Sequence, residues 1–358
     1  MLHFDSDYME GAIPAIIERL TQTNFDQTAG YGTDEICKSA RDKIAQALNA
    51  PDAAISFLVG GTQANAVVLD QILEPWEGVI SASTGHINGH EAGAVEGLGH
   101  KILPLPSTDG KLVAADVRAL CEAYFGDANR EHMVAPGVVY LSQPTEYGTL
   151  YSLAELEALS AVCDTYDLAL FVDGARLGYA LGAPQGSVAL PDLARLCDAF
   201  YIGGTKVGAL FGEAVVFPRP QTCRHRKGED RAIDQHFFTI TKKRGALLAK
   251  GRMLGIQFDE LFSANEEGGQ LRYLEAGKHG VTQAQRLAQA FREKGYELAI
   301  DSPTNQLFPI LDDQTYERLG QQVSFSFWER TPDGRTVTRF ACSWATRPED
   351  VDALIELL

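Results

Sequence analysis

The sequence predicts an α/β fold: a large domain with a mostly parallel sheet covered by helices, followed by a smaller C-terminal α/β domain. Three observations predict it. Short apolar runs such as Leu168-Ala169-Leu170-Phe171-Val172 alternate with helix-length segments, as expected of strands buried on both faces. After about residue 230 the pattern changes to long helical stretches followed by short strands. The 358 residues suffice for about two domains. The expected division is residues 1–245 and 246–358, with a long helix bridging the two.

Each element has its own signal. Residues 55–59 read as a buried strand, and Thr62 is placed to cap a helix through Ala64, Val67, Val68 and Leu73. Residues 79–82 and 101–105 are further strands. A clearer one, 138–141, leads to a helix from Ser152 to about Tyr166, where Ser152 and Glu155 have capping-box spacing. Residues 168–172 form a continuous apolar strand that ends at Asp173. Strands follow at 199–202, ending at Gly203-Gly204, and at 214–217. A long helical stretch is expected from Asp230 to about Phe262, and a second from about Leu271 to Lys294. Short strands at 307–311, 323–328 and 336–342 and a helix over 350–358 complete the chain.

Composition narrows the function. Lys and Arg number 31 against 48 Asp and Glu, a formal net charge of −17. A nucleic-acid surface needs clustered cations to displace counterions, so nucleic-acid binding is not expected. The densest basic run, Arg224-His225-Arg226-Lys227, is expected to be a solvated loop. No run approaches the roughly 18 apolar residues of a membrane span, so no membrane role is expected. The first residues lack a signal-peptide pattern. Six scattered cysteines without CxxC spacing suit a reducing cytoplasm. The dinucleotide, P-loop and nucleophile-elbow motifs are absent. His86, His90 and Glu91 fall close together but do not form H-E-x-x-H, and with no third ligand apparent no metal is expected.

Three strand ends carry the chemistry. Gly60-Gly61-Thr62-Gln63 lies between a strand and a helix; it is either a phosphate cradle of backbone N–H groups or a plain capped turn. Asp173-Gly174-Ala175-Arg176 follows an apolar strand; the carboxylate there needs a cation or donors, or is a local ion pair or cap. Gly203-Gly204-Thr205-Lys206 places a lysine after a strand, either exposed or desolvated enough to form a Schiff base. A phosphate cradle, an acid for a ring nitrogen and an amine for an aldehyde together suit pyridoxal phosphate. All three sit at carboxyl ends of strands, where open α/β sheets bind ligands.

At these residues the sequence resembles the threonine aldolase and β-eliminating lyase group of fold-type-I pyridoxal-phosphate enzymes. The resemblance rests on Phe4-Asp5-Ser6-Asp7, Gly61-Thr62-Gln63-Ala64-Asn65, His86 with Glu91-Ala92-Gly93-Ala94, Asp173-Gly174-Ala175-Arg176-Leu177 and Thr205-Lys206. It implies the following roles. Lys206 carries pyridoxal phosphate as a Schiff base, Asp173 pairs with the ring nitrogen, and His86 stacks on the ring. Gly61, Thr62 and Gln63 hold the phosphate, with Thr205 beside the lysine. Arg176 and Arg339 meet the substrate carboxylate, assisted by Ser6. His86 or His132, or a water held by one of them, is the base. Lys242 reaches the phosphate of a neighbouring subunit, so a homodimer or homotetramer is implied.

The implied activity is cleavage of threonine-like β-hydroxy-α-amino acids to glycine and an aldehyde; β-elimination or transamination is the alternative. Three features depart from the family pattern. Phe171 stands where the family has histidine, Ser142-Gln143-Pro144-Thr145 replaces a strand-end E-N-T-H, and the loop Val207-Gly208-Ala209-Leu210-Phe211-Gly212 is one residue short. Glu146 and Tyr147 are unusual polar residues there and are candidates for a substrate contact.

Overall fold

A computed structural model describes residues 1–222, 224–226, 232–265 and 269–358. At its centre is a seven-stranded sheet. Its spatial order is Ala54–Leu58, Glu213–Phe217, Ala199–Gly203, Ala169–Asp173, Ala135–Ser142, Glu77–Ala82, Lys101–Leu105. Only Glu213–Phe217 runs against its neighbours; the remaining pairings are parallel.

Strand alternation divides the core between two faces. Val139, Leu141, Leu170, Val172, Phe200 and Ile202 point to one face, packed with the helices Glu35–Ala47, Leu153–Tyr166 and Arg252–Leu261. Val138, Tyr140, Phe171, Tyr201 and Val215 point to the other, covered by the helix Gly61–Ile72. Asp173 follows Phe171 by two residues, so it emerges on this second face at the strand's carboxyl end. The Ser152–Glu155 capping box forms: Ser152 N–H donates to Glu155 at 2.7 Å, and Glu155 N–H donates back to Ser152 Oγ at 3.3 Å.

A second, antiparallel sheet joins Ile310–Leu311, Thr336–Ala341 and Ser326–Arg330, with Gln306–Leu307 beside Thr336–Ala341. The expected strands over 307–311 and 323–328 are each broken into two short pieces. In the first, Pro309 lacks the N–H that would continue a ladder. The 22-residue helix Arg272–Glu293 serves both cores. Tyr273, Ala276 and Val281 face the large sheet, whereas Ala284, Leu287, Ala288 and Phe291 face the small one. A Cβ on Gly277 would come within 1.9 Å of the Gly178 carbonyl oxygen, so glycine lets the helix touch the segment just after Arg176.

Four local expectations need correction. The stretch 230–262 is not one helix: Phe237–Lys243 and Arg252–Leu261 are separate, with Gly245 at φ +68° just after the first. Asp230 lies outside the described residues. The helix Arg252–Leu261 packs on the large unit, where Lys43 pairs with Asp259 at 2.6 Å, although its residues fall in the expected small domain. Conversely Leu2–His3 pairs in parallel with Val323–Ser324, and Phe4 enters the small core.

Arg224 is not solvated. It is buried and donates to Asp198 at 2.9 Å, to Ser160 Oγ at 2.8 Å and to the Leu196 carbonyl. Lys227 and Cys223 lie outside the described residues, while the other five cysteines are free and buried. Thr62 is not the N-cap: Gly60 is, and no side chain caps this helix. Among the described residues no helix is long and apolar enough to cross a membrane.

Candidate active site

The three strand ends converge on one cavity of about 260 Å³, whose lining includes Gly60, Gly61, Thr62, His86, Asp173, Arg176, Thr205 and Lys206. Asp173 is its anchor. The residue is 4% exposed and its carboxylate accepts four hydrogen bonds. Tyr140 Oη (2.6 Å) and Asn65 Nδ2 (2.9 Å) donate to one oxygen; Tyr201 Oη (2.5 Å) and Ala175 N–H (2.9 Å) donate to the other. Burial alone would raise its pKa. The charge of His86 and these donors outweigh burial and hold the carboxyl below the ordinary aspartate value. A Cβ on Gly174 would meet the Tyr201 carbonyl oxygen at 1.9 Å, which explains glycine directly after the aspartate.

Asn65 stands one helical turn beyond Gly61 and bridges two carboxylates. Its amide donates to Asp173 and, at 2.8 Å, to Glu91 Oε1. The same Glu91 oxygen lies 2.8 Å from His86 Nδ1. A carboxylate only accepts, so Nδ1 carries the hydrogen and Nε2 remains for proton exchange. Burial works against charge on His86, but Glu91 and Asp173 raise its pKa above the ordinary histidine value.

Gly61, Thr62 and Gln63 open the Gly61–Ile72 helix. Its first internal bond runs from Ala64 N–H to the Gly60 carbonyl at 2.9 Å, so the three preceding N–H groups have no acceptor within the helix. The Gln63 side chain instead accepts the Val59 N–H at 3.1 Å.

Lys206 lies beyond the Ala199–Gly203 strand, with Nζ 5.8 Å from the Tyr8 ring centre. Burial first, and then Arg176, hold its amine below the ordinary lysine pKa. The short loop after it is pinned by Gln257 Oε1, which accepts the N–H groups of Leu210 (2.7 Å) and Phe211 (3.2 Å). Thr205 donates to Glu213 at 2.8 Å.

Arg176 forms no pair with Asp173. Its Nε (2.7 Å) and Nη2 (3.0 Å) donate to Asp7, which also accepts from Asn305 at 2.9 Å. Among the described residues, Nη1 of Arg176 makes no hydrogen bond. Burial would raise the Asp7 pKa, but Arg176 and Lys206 bring it down to about 2. That is below the 3.8 of an ordinary aspartate, so this contribution to stability is complete above about pH 4 and is lost as pH falls towards 2. Asp7→Ala should leave Arg176 buried without its partner and cost about 3 kcal/mol. The measurement is the urea midpoint at pH 7, and an unchanged midpoint would refute the pairing's importance.

Arg339 Nη2 donates to the Asp5 carbonyl at 3.0 Å, while its Nε is buried without a partner among the described residues. Ser6 Oγ is likewise buried and unpartnered. His132 is not brought to the site. It is exposed and precedes the amino end of Ala135–Ser142, whereas the cavity lies at Ser142, the strand's other end. Lys242 lies outside this chain's cavity lining, with Nζ 4.4 Å from the Tyr31 ring centre.

Glu146 is in the lining. It is buried and accepts from Ser142 Oγ (2.7 Å) and His86 N–H (2.9 Å), and burial raises its pKa. Tyr147 turns away to pack against Phe308 and Trp328. Tyr140, Tyr201 and Glu213 had no assigned role in the sequence. The available signal was a polar group inside an apolar strand, which burial obliges to find a partner.

The β-eliminating lyase family model matches residues 3–300. A low specificity L-threonine aldolase of a Pseudomonas sp. is 30% identical over 356 residues, covering 98% of this chain and 95% of that one. A solved threonine aldolase of Leishmania major is 39% identical, with a TM-score of 0.91 over 100% of this chain and 98% of its own. An Escherichia coli protein described by a methionine aminotransferase function superimposes with a TM-score of 0.73 over 99% of this chain and 91% of that one; its 15% identity shows the fold alone.

Proposed function

This chain belongs to the β-eliminating lyase family, and from that premise we propose that it is a pyridoxal-phosphate-dependent aldolase cleaving L-threonine and related β-hydroxy-α-amino acids to glycine and an aldehyde. The observation that carries the reading is the meeting of Lys206, ionised Asp173 and the unpaired helix N-terminus at one cavity.

The donor set suits the cofactor. Asp173 is a buried acid held in its charged form, and three N–H groups lack internal acceptors at a glycine turn. A Cβ on Gly61 would sit 3.0 Å from Tyr201 Oη, so glycine there avoids a tight contact at the head of the helix. When bound, pyridoxal phosphate supplies an aldehyde for an amine and a protonated ring that accepts the electron pair of a breaking bond to Cα.

The chain's own residues then have distinct tasks. Lys206 presents a desolvated amine, and Asp173 keeps a cationic ring nitrogen charged. Gly61, Thr62 and Gln63 offer N–H groups to the phosphate, and Thr205 fixes the lysine turn. His86, oriented by Glu91, would cover the ring face when the cofactor is bound. Arg339, Ser6 and Nη1 of Arg176 offer donors to the substrate carboxylate. His86 Nε2 and the Glu146 carboxyl are the groups placed to take the β-hydroxyl proton, and a raised pKa brings Glu146 nearer to working pH.

We place the enzyme in the cytoplasm, in keeping with the five described cysteines, which are free and buried. We also propose a homodimer or homotetramer. Tyr31 and Phe238 are exposed beside Lys242, whose exposed ammonium lies over the Tyr31 ring and would serve a neighbour's site.

The test is to incubate the holoenzyme separately with L-threonine, L-allo-threonine and phenylserine and to assay the products. Glycine and the matching aldehyde in equal amounts are expected. Ammonia with a keto acid, or amino transfer to an added keto acid, would overturn the aldolase reading and leave the cofactor site standing.

A further inference from the structure

Tyr8 has no task in the reaction as described, yet it stands in the cavity lining. Its neighbours hold it there. Asp7, just before it, is buried and bound by Arg176 and Asn305. On the other side the Glu10 carboxylate accepts the Ser343 hydroxyl at 3.3 Å. The Ile13 N–H then donates at 2.9 Å to the carbonyl of Gly208, in the loop after Lys206. The chain is therefore tied on both sides of Tyr8, while its side chain is 56% exposed. The ring centre lies 5.8 Å from Lys206 Nζ. Among the described residues the ring meets no other ring, and the hydroxyl makes no hydrogen bond. The other lining tyrosine, Tyr201, is buried and donates to Asp173.

We propose that Tyr8 is a specificity-determining residue. Its ring is the wall against which the substituent on Cβ of the substrate lies, and it favours β-hydroxy-α-amino acids whose substituent is large and apolar, above all aryl. The proposal rests on the aldolase reading and on Lys206 as the lysine that takes the cofactor aldehyde.

Position carries the assignment. The substrate amine comes to the place of Lys206, and the substrate carboxylate to Arg339, Ser6 and Arg176. Those donors gather on the residues just before Tyr8: Arg339 donates to the Asp5 carbonyl, Ser6 follows, and Arg176 holds Asp7. Amine and carboxylate are bonded to one carbon, Cα, so a ring beside both ends also borders what else that carbon carries. The hydroxyl on Cβ belongs to His86 and Glu146, which leaves the other substituent of Cβ for Tyr8. A phenyl group laid on an exposed ring takes apolar area of both out of water, whereas the methyl group of threonine covers little of it. The phenol hydroxyl stays in solvent meanwhile, as suits a ring with one apolar and one wet end.

The experiment measures glycine release from phenylserine and from L-threonine by the holoenzyme, for the wild type, Tyr8→Ala and Tyr8→Phe. Tyr8 is exposed, so neither substitution removes core packing. Tyr8→Ala should lower kcat/KM for phenylserine by about 10- to 50-fold and that for threonine by less than about threefold. Tyr8→Phe keeps the ring and should keep the wild-type ratio within about twofold. An unchanged ratio in Tyr8→Ala, or an equal loss on both substrates, would overturn the proposal. So would loss of the preference in Tyr8→Phe, because the hydroxyl would then be the determinant. A second measurement needs no turnover. L-Phenylalanine and L-alanine lack the β-hydroxyl, and their binding to the holoenzyme is read from the cofactor's visible band. L-Phenylalanine should bind about tenfold tighter, and Tyr8→Ala should bring the two within about twofold. If neither β-hydroxy amino acid yields glycine but this binding preference vanishes with the ring, the aldolase reading fails and Tyr8 stands. If glycine is released and both preferences survive in Tyr8→Ala, the aldolase reading stands and Tyr8 falls.

Discussion

Lys206→Ala should lower the turnover of L-threonine by about 10,000-fold or more. It should also abolish the label left on this residue by borohydride reduction with pyridoxal phosphate. The expectation follows from placement. Lys206 is a lysine at the cavity whose amine is held below its ordinary pKa, and its main chain is fixed from both sides. Tyr179 donates to the Lys206 carbonyl at 2.5 Å, and the following loop is pinned by Gln257. A buried lysine that loses its proton easily is a nucleophile rather than a surface charge. The variant should still bind pyridoxal phosphate non-covalently, because Asp173 and the glycine-turn N–H groups remain. Retention of turnover within tenfold, or a label at another lysine, would sink the assignment. Lys206→Arg separates charge from chemistry: it restores the cation, and it should restore no turnover.

Much of this site was legible because it is local in sequence. Asp173 and Lys206 follow apolar strands whose ends can be read directly, and the sheet sets those ends side by side. Ser142 lies opposite Asp173 in register, and the next strand brings Gly203. The Ser152 capping box is another local signal, decided within four residues. What was not legible depends on distant partners. Arg224 sits in a basic run that reads as solvated, yet Asp198 and two carbonyls bury it. The pairing of Arg176 with Asp7, 169 residues away, which takes two of its nitrogens, has no local signal. His132 had the right residue type and lay near the right strand, at the wrong end of it. The break at Gly245 is hidden because the apolar spacing continues past it into Arg252–Leu261.

Asp173→Asn should lower turnover by about 100- to 1,000-fold while leaving the fold largely intact. The substitution preserves shape but removes the charge that four donors stabilise. It also puts an amide nitrogen where Tyr140, Tyr201, Asn65 or the Ala175 N–H now donates, so two donors must face each other. Cofactor affinity should therefore fall together with turnover, which a pyridoxal-phosphate titration of the stripped variant would measure. The same geometry fixes the acid side of the pH profile. Asp173 has a pKa below the ordinary 3.8, so it stays ionised as pH falls from neutral to about 4 and cannot cause a loss of activity in that range. A carboxyl whose pKa burial raises above 4.5 can, and Glu146 is the one beside His86. Glu146→Gln should accordingly remove from kcat an acid limb that lies above the ordinary glutamate value. If that limb survives in Glu146→Gln and disappears in Asp173→Asn, then Asp173 titrates in the working range and is not the permanently charged partner that its four donors imply.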